Sequence, residues 1–449
     1  MTILFWFRRD LRVQDNQALS AAVARAQTEK EALSASYIFG EDFGQLSPIR
    51  ANSLITSVSS LDKSLPLGLT IASGNPANAL LALCQQHDVK LVYATRSFDT
   101  KGMLEQSAVA EALYASGISL QLVGSNYAVE PGTVRKDDGS PLRVYTPFYK
   151  RWVQLIGQRP FRVDLASVQW IEGSGALPEI SQDCEVPITA SEAFALETWR
   201  KFQKRALMDY SENRNRTDLS GTSHLSHALA HGEIHPRTLL AELGDSPGEE
   251  VYRKELAWRE FYADVLFHNP HTYDGYYEPR FEKMRYDGAE GNPKLEAWKS
   301  GKTGYPIVDA AMRQLLTTGW MHNRSRMIVA SFLVKDLHIE WQVGARWFEK
   351  WLTDFDPASN SHGWQWTAGC GTDASPYYRV FNPTLQGYKF DPSGDYVRKY
   401  IPELRHISGA EVHEPWKLID GLAHGYPAPI LDHFLERDES LARLEEIKG

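Results

Sequence analysis

Asp354 and Trp366 bound a run of thirteen residues that contains two carboxylates, an amide and two indoles. We single out the carboxylates of Asp354 and Asp356, the amide of Asn360 and the indoles of Trp364 and Trp366. Such polar groups are costly to bury without dedicated partners, so packing alone explains their density poorly. The segment therefore predicts a functional centre rather than a purely structural one.

A second group lies on a stretch of helical periodicity over residues 250–267. Glu255 and Trp258 are three residues apart and share a helix face, with Tyr262 four residues further on. A lone glutamate on a helix is usually just solvated. An acid beside an indole can instead form the floor of a pocket for a flat heterocycle, through stacking and one hydrogen bond.

Two arginines mark a third group. Arg324 and Arg326 are two positions apart, which places them roughly 200° from each other around a helix. One can face an external anion while the other points inward to an acid. Asn323 and Met327 are four residues apart and lie side by side near Arg324. The plainer interpretation is a core helix with a basic outer face.

The segment 221–235 supports two interpretations. Gly221-Thr222-Ser223 introduces a helix whose orphan N–H groups and dipole would favour a phosphate. Four histidines at helical spacing would instead suggest a metal site, but glycine and proline interrupt them and no HExxH motif is present. These histidines are His224, His227, His231 and His235. We favour the phosphate interpretation and predict no metal.

Composition limits the classes of function. The net charge of −9 argues against a protein that coats nucleic acid indiscriminately, although a local basic groove remains compatible with it. The 3 cysteines are scattered and predict neither a disulfide framework nor a four-thiolate cluster. The sequence shows no signal peptide and no apolar run that could span a membrane, so we expect a cytoplasmic protein.

The chain changes character twice along its length. Up to residue 127, short apolar runs alternate with helical stretches, which predicts a doubly wound α/β domain with a parallel sheet. The runs are Ile3–Phe7, Ser34–Phe39, Leu69–Ala72, Leu91–Tyr93 and Leu120–Val123. Residues 128–190 are rich in Pro and Gly and predict a surface linker with one helical piece near Tyr149–Ile156. Residues 191–449 lack strand signals and predict an all-α domain.

Motifs in both halves coincide with a single family. They are Phe5-Trp-Phe-Arg-Arg-Asp-Leu-Arg12, Gly304–Leu315, Trp320–Met327, Asn360–Trp366 and Tyr378-Arg-Val-Phe-Asn-Pro383. Together they resemble the photolyase/cryptochrome family, and the resemblance extends over nearly the whole chain. It implies an α/β antenna domain (1–127), an interdomain linker (128–190) and a helical FAD-binding domain (191–449).

The resemblance implies FAD as the cofactor. The implied contacts are Tyr210, Thr222, Ser223, Leu225 and Ser226 around the diphosphate, and Arg326, Asp354, Asp356 and Asn360 around the flavin. His224 stands where the family often has an arginine, which leaves one phosphate contact open. Plant cryptochromes tend to carry aspartate at the position of Asn360, whereas asparagine suits the reduced flavin that repair requires.

UV-damaged DNA is the substrate that the resemblance implies. The residues that match the pocket of cyclobutane pyrimidine dimer photolyases are Glu255, Trp258, Asn323, Arg324, Met327 and Trp366. The implied reaction is light-driven transfer of one electron from reduced FAD to a flipped-out dimer. Glu255, which we expect to be protonated, would stabilise the charge on a base carbonyl, and Arg324 would hold a phosphate.

Photoreduction of the flavin depends in this family on a chain of tryptophans. Trp364 and Trp341 match its proximal and middle members. The third position has no matching indole in this sequence. The candidates for its replacement are Trp298, Trp347, Trp351 and Tyr286. Glu255, Asn360, Trp364 and Trp341 are thus the residues for which the resemblance implies a part in catalysis.

The main alternative is a cryptochrome, a blue-light photoreceptor with the same flavin and no repair, but the complete set of pocket residues favours repair. Repair of the (6-4) lesion is disfavoured, because Asn323 and Met327 stand where animal enzymes have a His pair, and 3 cysteines cannot supply the four cluster ligands of the bacterial type. We expect a second, antenna chromophore, with methenyltetrahydrofolate as the default, and a monomeric protein.

Overall fold

A computed structural model describes residues 2–157, 159–184, 188–373 and 378–448. Its N-terminal part contains five parallel strands in the order β3-β2-β1-β4-β5. The strands are β1 (Thr2–Phe7), β2 (Ala32–Phe39), β3 (Thr70–Ser73), β4 (Val89–Ala94) and β5 (Ser119–Leu122). The predicted parallel α/β domain is confirmed, and each strand overlaps one of the apolar runs seen in the sequence.

Burial on both faces explains why β1 reads as a continuous apolar run. Ile3, Phe5 and Phe7 pack into one hydrophobic cluster, whereas Leu4 and Trp6 pack into another. Successive side chains of a strand point to opposite faces, so the two clusters lie on the two sides of the sheet. A central parallel strand with helices on both faces requires this pattern.

Part of the Pro- and Gly-rich connector binds the sheet instead of running freely over the surface. The backbone N–H of Leu33 donates to Gln169, and that of Ile71 donates to Ser174, at 2.8 and 2.7 Å. A Cβ on Gly173 would lie 2.4 Å from the carbonyl oxygen of Leu69. The close approach of two backbones therefore requires glycine at position 173. From the sequence alone, this glycine indicated only a loop.

Glu260 ties another part of the connector to a long helix, Pro247–His268. Its buried carboxylate accepts hydrogen bonds from the backbone of Ala128 and Val129 and from the indole of Trp152. Burial raises the pKa of this carboxyl group, and the three donors oppose the shift. The arrangement holds residues 128–152 against the helix that carries Glu255 and Trp258.

The chain separates into two compact units. The first comprises residues 1–208 and 223–270, and the second comprises residues 209–222 and 271–449. The boundaries expected at residues 127 and 190 stay predictions. The α-helices of the first unit are Gln17–Glu29, Pro48–Ser64, Pro76–Gln86, Thr100–Ala115, Tyr145–Leu155, Glu192–Arg205, Ser226–His231, Pro236–Leu240 and Pro247–His268.

Helices make up the regular structure in the described part of the second unit. They are Tyr210–Asn213, Pro293–Ser300, Pro306–Thr318, Asn323–Ser331, Trp341–Trp351, Pro357–Ala368, Pro383–Phe390, Asp395–Tyr400 and His433–Glu446. The periodicity over residues 321–337 predicts one helix, but the last turns form a π-helix at Phe332–Asp336. Among the described residues, no helix has the length and apolar content needed to cross a membrane.

Candidate functional site

The helix Pro357–Ala368, hereafter the central helix, carries the densest part of the predicted centre. Asp356 caps it by accepting a hydrogen bond from the Ser359 backbone at 2.8 Å, and proline occupies its first turn. Asp356, Asn360 and Trp364 follow at intervals of four residues. They therefore form one stripe along the helix.

Arg326 and Asp354 form an ion pair next to this stripe. Arg326 Nη2 donates to Asp354 Oδ2 at 2.6 Å, and its Nε donates to the carbonyl oxygen of Met321 at 2.9 Å. The Asp354 side chain is 1% exposed, so its carboxylate is almost completely removed from water. The inward arginine that the two-residue spacing predicts is Arg326.

The other oxygen of this carboxylate defines what the centre can bind. Asp354 Oδ1 is buried and has no hydrogen-bond donor among the residues that the structure describes. Buried polar atoms are normally paired. A molecule with N–H or O–H groups would satisfy this acceptor.

Trp364 is packed tightly on the inner side of the central helix. Its ring lies 4.9 Å from that of Phe348 and 6.3 Å from that of Trp298, both in edge-to-face geometry. Gly344 makes the close approach possible, because a Cβ there would lie 2.1 Å from Trp364 Cη2. Gly344 and Phe348 both belong to the helix Trp341–Trp351, hereafter the tryptophan helix.

Asn360 and Trp366 have different surroundings from Trp364. Asn360 Nδ2 donates to the carbonyl oxygen of Ala345 at 3.1 Å, which fixes the plane of the amide. Trp366 is two residues from Trp364 and hence on the other side of the central helix, where its ring is half-buried. Its indole N–H donates to the carbonyl oxygen of Asp373 at 3.1 Å.

The helix Asn323–Ser331 presents the remaining residues of the second unit. Asn323 is exposed and Met327 half-buried, one turn apart. Arg324 donates twice to Asn215 Oδ1, at 2.8 and 3.2 Å, and its guanidinium lies 4.5 Å from the ring centroid of Phe390. Asn215 and Phe390 therefore orient Arg324, a role that no sequence pattern indicated.

In the first unit, Trp258 stacks on an aromatic partner. Its ring lies parallel to that of Tyr145, with centroids 3.8 Å apart and an interplanar angle of 6°. The Tyr145 hydroxyl donates to the carbonyl oxygen of Lys254, which holds the stack in place. Glu255 is half-buried on the same helix. Trp258 thus presents a flat, preorganised surface next to an acid.

The turn before Ser226 differs from the expected helix start. The helix begins at Ser226, because His224 adopts a left-handed conformation with φ of 54° and interrupts the helical path. Ser223 accepts hydrogen bonds from the backbone of Leu225 and from the hydroxyl of Tyr252, at 3.4 and 3.1 Å. Leu225 is buried and Ser226 exposed.

Tyr210 and Thr222 belong to the second unit. Tyr210 is buried at the start of a four-residue helix, with the guanidinium of Arg214 5.9 Å from its ring centroid. Thr222 is half-buried. Because these two residues and the Ser223 turn are described in different units, their joint action stays a prediction.

The four histidines do not form a continuous helical stripe. His231 ends one helix and His235 caps the next, where its ring accepts a hydrogen bond from the Arg237 backbone. His227 lies between the hydroxyls of Ser53 and Ser57, at 3.3 and 3.4 Å. Within the described ranges, no group of three or more His, Cys, Asp or Glu side chains is arranged for a metal ion.

Comparisons with known proteins agree with this geometry. The family model described as the FAD binding domain of DNA photolyase matches residues 252–446, and the one described as DNA photolyase matches residues 3–164. The deoxyribodipyrimidine photo-lyase of Alkalihalophilus pseudofirmus is 35% identical over 97% of this chain and 96% of that protein. The chain belongs to the DNA photolyase family.

Two solved structures of the photolyase fold extend the likeness. A class III photolyase from Agrobacterium tumefaciens superposes with a TM-score of 0.87 at 35% identity, covering 100% of this chain and 98% of that one. A cryptochrome from Synechocystis superposes with a TM-score of 0.85 at 27% identity, covering 98% of both chains. The resemblance inferred from the motifs is confirmed, and the fold is common to photolyases and cryptochromes.

A photolyase-type centre in the second unit is chemically suited to FAD. The isoalloxazine ring and the ribityl chain of FAD carry N–H and O–H groups, and Asp354 Oδ1 is a buried acceptor without a donor among the described residues. Asn360 offers an amide, and Arg326 a guanidinium beside a carboxylate. The residues present therefore fit the cofactor of the family.

The candidates for the end of the tryptophan chain occupy different places. Trp341 is buried, and its ring lies 6.2 Å from that of Tyr276. Trp298 contacts Trp364, and Trp347 contacts Trp351 with ring centroids 5.7 Å apart. Tyr276 was not among the candidates, because no spacing in the sequence brings it to Trp341.

The packing of Trp364 against Gly344 leads to a paired prediction. Gly344→Ala should lower the free energy of unfolding by roughly 1–3 kcal/mol, because the added methyl displaces a buried indole. Gly363→Ala is the control on the central helix, where a Cβ would meet no atom within 4 Å. That variant should be more stable than the wild type by about 0.5–1 kcal/mol. Urea unfolding measures both, and equal effects would contradict the assigned packing.

Proposed function

We propose that this chain repairs pyrimidine dimers in DNA with light as the energy source. The single observation that carries the proposal is the buried centre of the second unit, where Asp354 pairs with Arg326 and keeps one oxygen for a ligand. The relatives named deoxyribodipyrimidine photo-lyase support the same reaction over the full length of the chain.

FAD is the cofactor of the proposed reaction. When bound, reduced and light-excited FAD supplies the single electron that splits the cyclobutane ring of the dimer, and it recovers that electron afterwards. We assign Asp354, Asp356, Asn360 and Arg326 to flavin binding within the second unit. A second, antenna chromophore belongs to the proposal, with methenyltetrahydrofolate as the first compound to test.

Asn360 and Arg326 hold polar atoms at fixed positions beside the flavin in this proposal. The hydrogen bond from Asn360 to Ala345 restricts the amide to one orientation. The bonds from Arg326 to Met321 and Asp354 restrict the guanidinium in the same way. Preorganised groups need no reorientation when charge develops next to them, which is how such side chains favour electron transfer.

Contacts to the lesion are assigned separately in each unit. In the second unit, Asn323, Met327 and Trp366 have exposed or half-buried side chains that can meet a flipped-out base. Arg324, oriented by Asn215, would hold a DNA phosphate. In the first unit, Trp258 offers a stacking surface and Glu255 a hydrogen bond to a base carbonyl.

The primary test is repair under controlled light. Purified protein with FAD, reduced before the assay, should restore DNA that contains cyclobutane dimers under near-UV or blue light and leave it unchanged in the dark. Dimers are counted by a lesion-specific endonuclease or by mass spectrometry. A protein that binds FAD but leaves dimers intact under light would instead be a photoreceptor of the cryptochrome type, the fold of which it shares.

Asp354 should control retention of the cofactor. Asp354→Asn removes the charge partner of Arg326, and a hydrogen bond to a charged group contributes about 1.5–3 kcal/mol, so FAD affinity should fall roughly tenfold or more. Glu403→Gln is the matched control, because it breaks the ion pair of Glu403 with Arg313, at 2.7 Å. Arg313 lies on the helix Pro306–Thr318, which carries no predicted site residue. Flavin-to-protein ratios after dialysis measure the effect. Equal flavin loss in both variants would refute the assignment.

Glu255 should act on repair and not on FAD content. Glu255→Gln weakens the hydrogen bond to the developing charge on a base, and a loss of about 1.4 kcal/mol slows that step roughly tenfold. The quantum yield of repair should fall, because the electron then returns to the flavin before the ring splits in a larger fraction of events. Glu250→Gln, on the same helix and bonded to Tyr149, serves as the control. A parallel fall in flavin content would point to a structural role for Glu255.

A further inference from the structure

The end of the electron chain can be located from the surroundings of Trp341. This residue begins the tryptophan helix and is 1% exposed. Its indole N–H has no acceptor among the described residues, and the same holds for Trp364. An indole that has lost one electron normally releases this proton, but here it has no hydrogen-bonded base to receive it. The positive charge therefore persists until a neighbour supplies an electron.

Tyr276 is the neighbour that can supply it. Its ring meets that of Trp341 edge to face, with centroids 6.2 Å apart and an interplanar angle of 88°. Its hydroxyl donates to Glu340 Oε1 at 3.2 Å. Tyr276 is buried, whereas Glu340 is exposed at the N-terminal boundary of the tryptophan helix. The phenol thus has an electron acceptor on one side and a proton acceptor open to water on the other.

We propose that Tyr276 is the terminal electron donor of the aromatic chain in the second unit and that Glu340 accepts its phenolic proton. The inference rests on the proposed function, since it assumes that Trp341 and Trp364 conduct. Loss of one electron from Trp341, through Trp364 to light-excited oxidised flavin, leaves an indole radical cation. One electron then passes from Tyr276 to Trp341, and the O–H proton moves to the Glu340 carboxylate. The products are neutral Trp341, a neutral tyrosyl radical and protonated Glu340.

The protonation chemistry of Tyr276 supports a coupled step. Burial is the main cause that raises the pKa of this hydroxyl, and the nearby Glu340 carboxylate raises it further. The phenol therefore keeps its proton at neutral pH until oxidation makes it strongly acidic. The hydrogen bond to Glu340 provides the path for the proton at that moment.

Two of the other candidates, Trp298 and Trp347, have surroundings that do not suit a terminal electron donor. Trp298 contacts Trp364 but is fully buried, and its N–H donates to the carbonyl oxygen of Val329, which is not a useful base. The ring of Trp347 has two ammonium groups near it, Lys299 at 5.3 Å and Lys350 at 6.0 Å, and these oppose a positive charge on it.

The two remaining candidates fit no better. Trp351 contacts Trp347 and has no acceptor for its N–H in the described part of the chain. The hydroxyl of Tyr286 is buried without a hydrogen-bonded carboxylate among the described residues. Neither side chain therefore combines a contact to Trp341 with a route for its proton.

Electron paramagnetic resonance tests the proposal on holoenzyme with oxidised FAD, frozen after a light pulse. Wild-type protein should show a tyrosyl radical, and Tyr276→Phe should lose it and retain a tryptophanyl signal. Tyr388→Phe is the matched control, because Tyr388 also donates to a glutamate, Glu414 at 2.9 Å, but its ring lies against His413. That variant should keep the tyrosyl signal.

Glu340→Gln provides a second test that does not disturb the core, because Glu340 is exposed. It should lower the yield of tyrosyl radical and prolong the tryptophan radical in transient absorption. A full tyrosyl signal in Tyr276→Phe, or unchanged kinetics in Glu340→Gln, would overturn the proposal. Repair by chemically reduced wild-type enzyme is measured in parallel. Its failure would contradict the proposed function alone, because that assay bypasses photoreduction.

Discussion

The second unit must keep two carboxylates, those of Asp354 and Asp356, out of water at the start of the central helix, and the rest of the site depends on this constraint. Removing a carboxylate from water is costly unless charge and hydrogen bonds replace the solvent. Arg326 provides the charge for Asp354, and the first turn of the central helix provides the backbone donor for Asp356. The positive end of the helix dipole acts in the same direction. The second oxygen of Asp354 has no donor among the described residues and is open to an N–H or O–H group of a ligand.

This constraint determines where the aromatic residues lie. Because Asp356 caps the central helix, residues at intervals of four from it face the same way, and Trp364 is carried into the core. The tryptophan helix must then pass close to that ring, which only a residue without Cβ permits at Gly344. The residues proposed to bind the flavin, Asp356 and Asn360, and the aromatic contact of Trp364 thus belong to the same helix.

Local patterns predicted most of the elements and part of the site. The strands coincide with the apolar runs, because a strand that is buried on both faces has apolar residues at successive positions. Helical spacing predicted that one of Arg324 and Arg326 points inward to an acid, and it is Arg326 that pairs with Asp354. The helix start at Ser226 was missed because the left-handed backbone of His224 is a local exception that residue type does not reveal. Tyr145 and Tyr276 were missed because each meets its tryptophan through a contact between segments distant in the chain.

Stability and the proposed electron transfer place opposite demands on the tryptophans of this unit. An indole buried for packing normally finds an acceptor for its N–H, as Trp298 does with Val329. The N–H groups of Trp341 and Trp364 have no acceptor among the described residues. Each unsatisfied group lowers the stability of the fold, and other buried contacts must offset this cost. An indole without a base nearby cannot release its proton after oxidation, so its charge stays mobile and strongly oxidising. In the proposed electron chain, the unsatisfied N–H groups would keep the charge mobile, and a hydrogen-bonded carboxylate would be needed only at its end, where Tyr276 donates to Glu340.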